Sequence, residues 1–146
     1  MTGIILEVLV PEAIQLQDVQ AINRLSLELR AGAKPLTMEK VKALAKDSFT
    51  YVARDESKRI IGKVSLFVHP QDTVLVGRIE DEIVTKKYRD QHIGKQLMEL
   101  AIQTARRHNL EYLYIRNPPK SDQARTLCVS VGFDETEDPN IWKLVL

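Results

Sequence analysis

Apolar positions recur along this chain in two periods, and the switches between them mark out its elements. Residues 4–10 form a short β-rich run closed by Pro11. From Asp18, placed as an N-cap, Val19, Ile22, Leu25 and Leu29 recur at helical spacing as far as Arg30, and Gly32 stops the run. Thr37 is placed to cap a shorter helix with Val41 and Leu44 inward. Residues 49–54 and 59–69 read as a strand hairpin across the turn 55–58, with Pro70 ending the second strand. Residues 74–84 are a further strand. Strict alternation there puts Glu80, Glu82 and Val84 on one face and Ile79, Asp81 and Ile83 on the other.

After a loop over residues 85–92 comes the clearest helical pattern. Ile93, Leu97, Leu100, Ala101, Thr104, Ala105 and His108 make one face, and Lys95, Gln96, Glu99, Gln103, Arg106 and Arg107 the other. Asn109 suits a left-handed helix end. Residues 112–116 read as a strand, 123–131 as a short helix stopped by Gly132, and 141–146 as a last strand. The order is strand, helices, three strands, helix, strand, helix, strand. That is a mixed α/β (α+β) domain built round one sheet.

Composition narrows the function classes. A length of 146 residues is that of one domain, expected to span the whole chain, with a core that needs no disulfide or metal. A formal net charge of +1 gives no case for general attraction to nucleic acid or to a membrane surface. Cys128 is the only cysteine, which excludes an internal disulfide and a cysteine-based metal site and makes a reducing cytoplasm the expected compartment. Residues 1–7 lack the cationic and long apolar segments of a leader, and no apolar run approaches the roughly 18 residues of a membrane span. His69 and His108 have no metal-ligand spacing with another His or Asp, and no metal is expected.

The loop before the long helix carries the most chemistry. The first N–H groups of a helix have no partner within it and together present about half a positive charge, a setting that suits a diphosphate. Gly94 has no Cβ to hold the backbone away from an anion, Arg89 and Lys95 add full charges, and Lys86 and Lys87 lie just upstream. The motif is neither a Walker loop nor a dinucleotide fingerprint. From these residues alone, a strand-to-helix loop that binds nothing is the competing reading.

The run Arg89-Asp90-Gln91-His92-Ile93-Gly94 resembles the Arg/Gln-x-x-Gly-x-Gly/Ala motif of the GNAT superfamily of acyl-CoA N-acyltransferases. Ile79-Glu80-Asp81 precedes it as in many members. The stretch from Asn117 through Ala124 and Leu127-Cys128 to Gly132-Phe133 resembles the family's Ala-x-x-Leu-Tyr-x-x-x-Gly-Phe block. The likeness covers roughly residues 49–146. It implies a mostly antiparallel mixed sheet flanked by helices and splayed between the strand ending at Val84 and the strand 112–116. It also implies acetyl-coenzyme A as cofactor. The pantetheine would pair with backbone at Ile83 and Val84, and the pyrophosphate would rest on the amides of Gln91, His92, Ile93, Gly94 and Lys95, with Arg89 and Asp90 beside them. Ser121 and Ala124 would border the pantetheine, Ser121 standing where an asparagine is common.

The resemblance implies an N-acetyltransferase in which a primary amine of a small molecule or peptide attacks directly. A homodimer is compatible with it, although no residue identifies an interface. Glu80 and Glu82 are the candidate bases, and enclosure with mutual repulsion would raise at least one of their pKa values. Three departures stand out. His92 occupies the place of the first motif glycine. Asp90 is expected to point to solvent or pair with Arg89. Cys128 stands where a proton-donating tyrosine is frequent, so it is a candidate acid, with a small buried hydrophobe the stronger reading. A module that binds acyl-CoA without catalysis, and a partner-binding domain whose loop is blocked by His92 and Asp90, are the alternatives.

Overall fold

The computed structural model describes residues 3–146; Met1 and Thr2, within the stretch read above as lacking leader character, lie outside the described residues. The elements are β1 (Ile5–Val8), α1 (Leu16–Leu29), α2 (Met38–Asp47), β2 (Phe49–Arg54), β3 (Ile60–Gln71), β4 (Val74–Val84), α3 (Ile93–Arg107), β5 (Tyr112–Arg116), α4 (Asp122–Val131), β6 (Asp134–Glu135) and β7 (Ile141–Val145). Single 3-10 turns at Pro11–Ala13 and Lys86–Tyr88 precede α1 and α3. The strands form one sheet in the order β1-β2-β3-β4-β5-β7-β6, antiparallel throughout except between β4 and β5.

Most boundaries follow the residue patterns, and the exceptions have local causes. Helix α1 begins at Leu16, two residues ahead of Asp18. Gln15 is its N-cap, and Asp18 completes a capping box from the third helical position, its carboxylate accepting from the Gln15 amide at 3.0 Å. Thr37 caps α2 as expected, accepting from the Lys40 amide. Strand β3 runs through Pro70 instead of stopping there. Strand β2 ends its pairing at Leu66, so β3 is an edge beyond that point, where proline is tolerated. Asn109 and Gly132 take left-handed conformations at the ends of α3 and α4.

Each sheet face carries its own core. Val64, Leu66, Ile79, Leu113 and Trp142 pack against Leu97, Met98 and Ala101 of α3 and Cys128 of α4. Val52, Ile60 and Ile83 pack against Val19, Ile22 and Leu25 of α1 and Val41 of α2. Met98 and Ile102 are also buried on α3, widening its apolar face, whereas His108 is exposed and tilts against the Phe49 ring.

The β4–β5 junction is short. Only Gly77↔Leu113 and Arg78↔Tyr114 pair, so β4 from Ile79 to Val84 has no strand partner on that side. This is the splay expected from the family resemblance. Gly77 makes the junction possible, because a Cβ there would lie 2.5 Å from Leu113 Cδ2 and 2.6 Å from Leu66 Cδ1. Overpacking of this kind typically costs about 2 kcal/mol, so Gly77→Ala is expected to lower stability by that amount. Thermal unfolding of the variant tests this; an unchanged midpoint would mean that the leucines yield freely.

Candidate active site

The site is built where β4 leaves its neighbour. Between Glu80, opposite Ser65, and Ile83, opposite Lys63, two residues of β4 face the single Val64, and Asp81 turns through φ 54. This is a bulge. It overturns the alternation expected for the strand. Ile79 and Val84, which strict alternation would separate, both join the α3-side core, while Ile83 joins the α1-side core. Glu80 and Asp81 lie on the α1 side and Glu82 faces α3, because the extra residue resets the period. The two glutamates therefore do not share a face.

Their surroundings differ accordingly. Glu80 is engaged by Arg78, with Nε 3.0 Å from Oε1 and Nη2 3.5 Å from Oε2, and the same guanidinium stacks over the Phe67 ring. Asp81 pairs with Arg30, just past the end of α1, at 3.2 Å. Glu82 is half-buried beside the start of α3. Burial pushes its carboxyl up to about 7, against the pull of the Arg89 and Lys63 charges. The expected elevation is present and enclosure causes it, whereas the expected repulsion from Glu80 does not contribute.

Gly94 lies inside the first turn of α3. A Cβ there would stand 3.1 Å from Leu127 Cδ2 and 3.6 Å from both Glu82 carboxylate oxygens. Its bareness therefore lets α3 approach α4 and Glu82. Cys128 is buried on α4, its thiol pushed up to about 11 by burial and then by the charge of Glu82, with Arg125 opposing. Glu82, Gly94 and Cys128 thus converge beneath the open end of the strand pair.

The loop before α3 is folded tightly. Asp90 and His92 both have positive φ, 67 and 62. His92 is the N-cap of α3, exposed, and makes no side-chain capping bond. At the place of the first motif glycine the backbone is thus left-handed, a conformation glycine adopts without strain and histidine at a cost of roughly 1–2 kcal/mol. Asp90 is exposed, as expected, and does not pair with Arg89. It accepts from Gln123 Nε2 at 2.8 Å, tying the loop to the start of α4. Arg89 turns back instead, donating from Nε to the Val84 carbonyl at 2.8 Å and from Nη2 to Glu28 at 3.3 Å. Glu28 of α1 also accepts from the Thr85 hydroxyl and the Lys86 amide. Gln91 and Lys95 are exposed, and Ile93 is buried beneath them. Ser121 caps α4, its hydroxyl accepting from the amide of half-buried Ala124.

Two features fit a phosphate-bearing thioester cofactor: the unpaired β4 edge beside the bulge, and an α3 start with no side-chain cap. Among the described residues no three His, Cys, Asp or Glu side chains cluster as a metal site, and no helix is long and apolar enough to cross a membrane.

Sequence reasoning missed Lys63, Glu28 and Gln123. Lys63 had a signal, a lysine inside the apolar run of residues 60–68. Glu28 had none, since its partners lie 57 to 61 residues away.

A sheet parted beside an uncapped helix start is the architecture of an acyl-CoA-dependent acetyltransferase. Residues 16–133 match the model of the acetyltransferase (GNAT) family, and the chain belongs to that family. Its acyl donor is acetyl-coenzyme A. No curated protein matches the chain in sequence. Among solved structures, it is similar to a NatC complex bound to Gag peptide and CoA (TM-score 0.78, 20% identity, 99% of each chain covered). It is also similar to a Trypanosoma brucei acetyltransferase (TM-score 0.75, 24% identity, 92% of this chain and 95% of that one). A third is the PaiA N-acetyltransferase of Thermoplasma acidophilum in complex with coenzyme A (TM-score 0.75, 14% identity, 98% and 99%). At these identities the likeness shows the fold alone.

Proposed function

We propose that this acetyltransferase acts on a primary amine of a small molecule or peptide by direct attack, with Glu82 carrying the proton. The observation behind this reading is the placement of Glu82, a carboxyl titrating near neutrality at the bulge, beside Gly94 and close enough to Cys128 to perturb its thiol. The bound cofactor supplies an activated acetyl thioester. The amides of Gln91, His92, Ile93, Gly94 and Lys95 hold its pyrophosphate, and the β4 edge at Ile83 and Val84 holds its pantetheine, with Ser121 and Ala124 alongside. Arg89 braces this edge through Val84 and Asp90 braces the loop through Gln123.

Glu82 accepts the proton of the attacking nitrogen, directly or through one water. An acid near 7 then gives a proton readily to a thiolate, whereas a thiol near 11 retains its own. Cys128 therefore serves as a close-packed wall and weak hydrogen-bond donor, with Glu82 replacing the frequent tyrosine as acid. Glu80, held by Arg78 on the opposite face, takes no part in the proton transfer.

Calorimetry with acetyl-CoA and thiol release across a panel of amines test the reading together. Binding with amine-dependent thiol release is expected, and Cys128→Ala should retain it within about threefold. Binding without thiol release from any amine would favour the non-catalytic alternative.

A further inference from the structure

Lys63 lies on β3 opposite Ile83 and is 3% exposed. A lysine with a buried stem ordinarily carries its ammonium out to water. This one instead places Nζ 3.5 Å from the carbonyl oxygen of Asp81, the residue at which β4 bulges. Among the described residues no carboxylate comes within ion-pair distance of it. The charges that face it are Asp81, Glu80 and Glu82 from β4 and Arg30 from beyond α1. Burial lowers its pKa; the carboxylates act against that and Arg30 adds to it. The Arg30–Asp81 pair stands nearby, toward solvent.

A buried lysine amine with one long hydrogen bond is a poor device for stability, since an apolar side chain of similar length would avoid the desolvation. What Lys63 reaches is instead informative. It touches the bulge that turns Glu82 toward α3, and its charge acts on Glu82 itself. We infer that Lys63 is a positioning residue for acetyl transfer, fixing the β4 bulge through the Asp81 carbonyl and thereby the aim of Glu82 into the β4–β5 opening. The inference rests on the assignment of Glu82 as proton carrier.

Two substitutions in the full chain separate the roles of the amine. Lys63→Met removes both hydrogen bond and charge at nearly constant length, whereas Lys63→Gln keeps an N–H donor without the charge. The first readout needs neither cofactor nor acceptor: amide spectra and hydrogen exchange over residues 80–84. Lys63→Met should shift these amides and speed exchange at Glu82 and Ile83 about tenfold, with Lys63→Gln restoring most of the difference. The second is the pH profile of kcat/KM for amine acetylation. Both variants should move its acid limb upward by about one pH unit, because a positive charge near Glu82 is gone. In Lys63→Met, kcat should fall about tenfold while KM for acetyl-CoA stays within about twofold. Wild-type amides at 80–84 together with an unshifted profile would overturn the inference. Should Lys63→Met fail to fold, Lys63→Gln carries the profile test, and an unshifted limb there overturns it equally. If instead Glu82→Gln leaves the wild-type limb in place, the proton-carrier reading fails, and the amide result still judges the hold on the bulge.

Discussion

Glu82→Gln is expected to lower kcat/KM for amine acetylation by about 100-fold or more, the usual loss when a positioned general base is removed. The wild-type profile should rise through pH 7, because Glu82 must be ionised to accept a proton and burial holds its carboxyl up to about 7. The variant should lose that limb. The same burial has a second effect, on stability. The carboxyl binds its proton more tightly folded than unfolded, so its contribution is full below the unfolded value near 4.5 and is lost as pH rises through about 7. At pH 8 the folded protein therefore holds an ionised group where a neutral one is favoured, a penalty of up to about 3 kcal/mol. Glu82→Gln should accordingly raise the melting temperature at pH 8 and leave it nearly unchanged at pH 4. Equal melting shifts at both pH values would refute the buried-carboxyl account, and an unaltered pH–rate limb would refute the base.

Asp18→Ala should destabilise the fold by about 3 kcal/mol, or roughly 10 °C in melting temperature for a chain of this size. Asp18 is 2% exposed and does two jobs with one carboxylate. It accepts from the Gln15 amide at the start of α1, and from Arg54 Nη1 at 2.8 Å at the end of β2. Alanine leaves the amide uncapped and removes the main anionic partner of a largely buried guanidinium, which keeps only the Lys58 carbonyl and a 3.6 Å approach to Glu7. Asp18→Asn retains the cap and should lose about half as much. Matched chemical denaturation of the two variants checks the ranking, and equal losses would assign the whole effect to charge.

The sequence made the element order legible because the periods of two and of three to four residues alternate cleanly, and because Thr37, Asn109 and Gly132 carry the local chemistry of helix ends. The helix-start loop was legible too, through the spacing of Arg89 and Gly94. What escaped was what one inserted residue does to a strand. Periodicity assumes that every residue advances the pleat by one, and although aspartate tolerates the left-handed region better than most residues, an Asp inside a strand pattern does not by itself mark a bulge. Hence Glu80 and Glu82 read as neighbours although they lie on opposite faces. The partners of Arg89 and Asp90 were likewise hidden, since Glu28 and Gln123 meet them only through tertiary packing. Lys63 was visible as an oddity, but only the fold shows what its amine reaches.

The two-pair seam at Gly77 and Arg78 has a consequence for how a guest enters. Most clefts between strands must be unzipped before anything can slide in. Here the two halves of the sheet are riveted at one spot and held apart beyond it, so a slender rod can be inserted like a bookmark without a single ladder bond being torn.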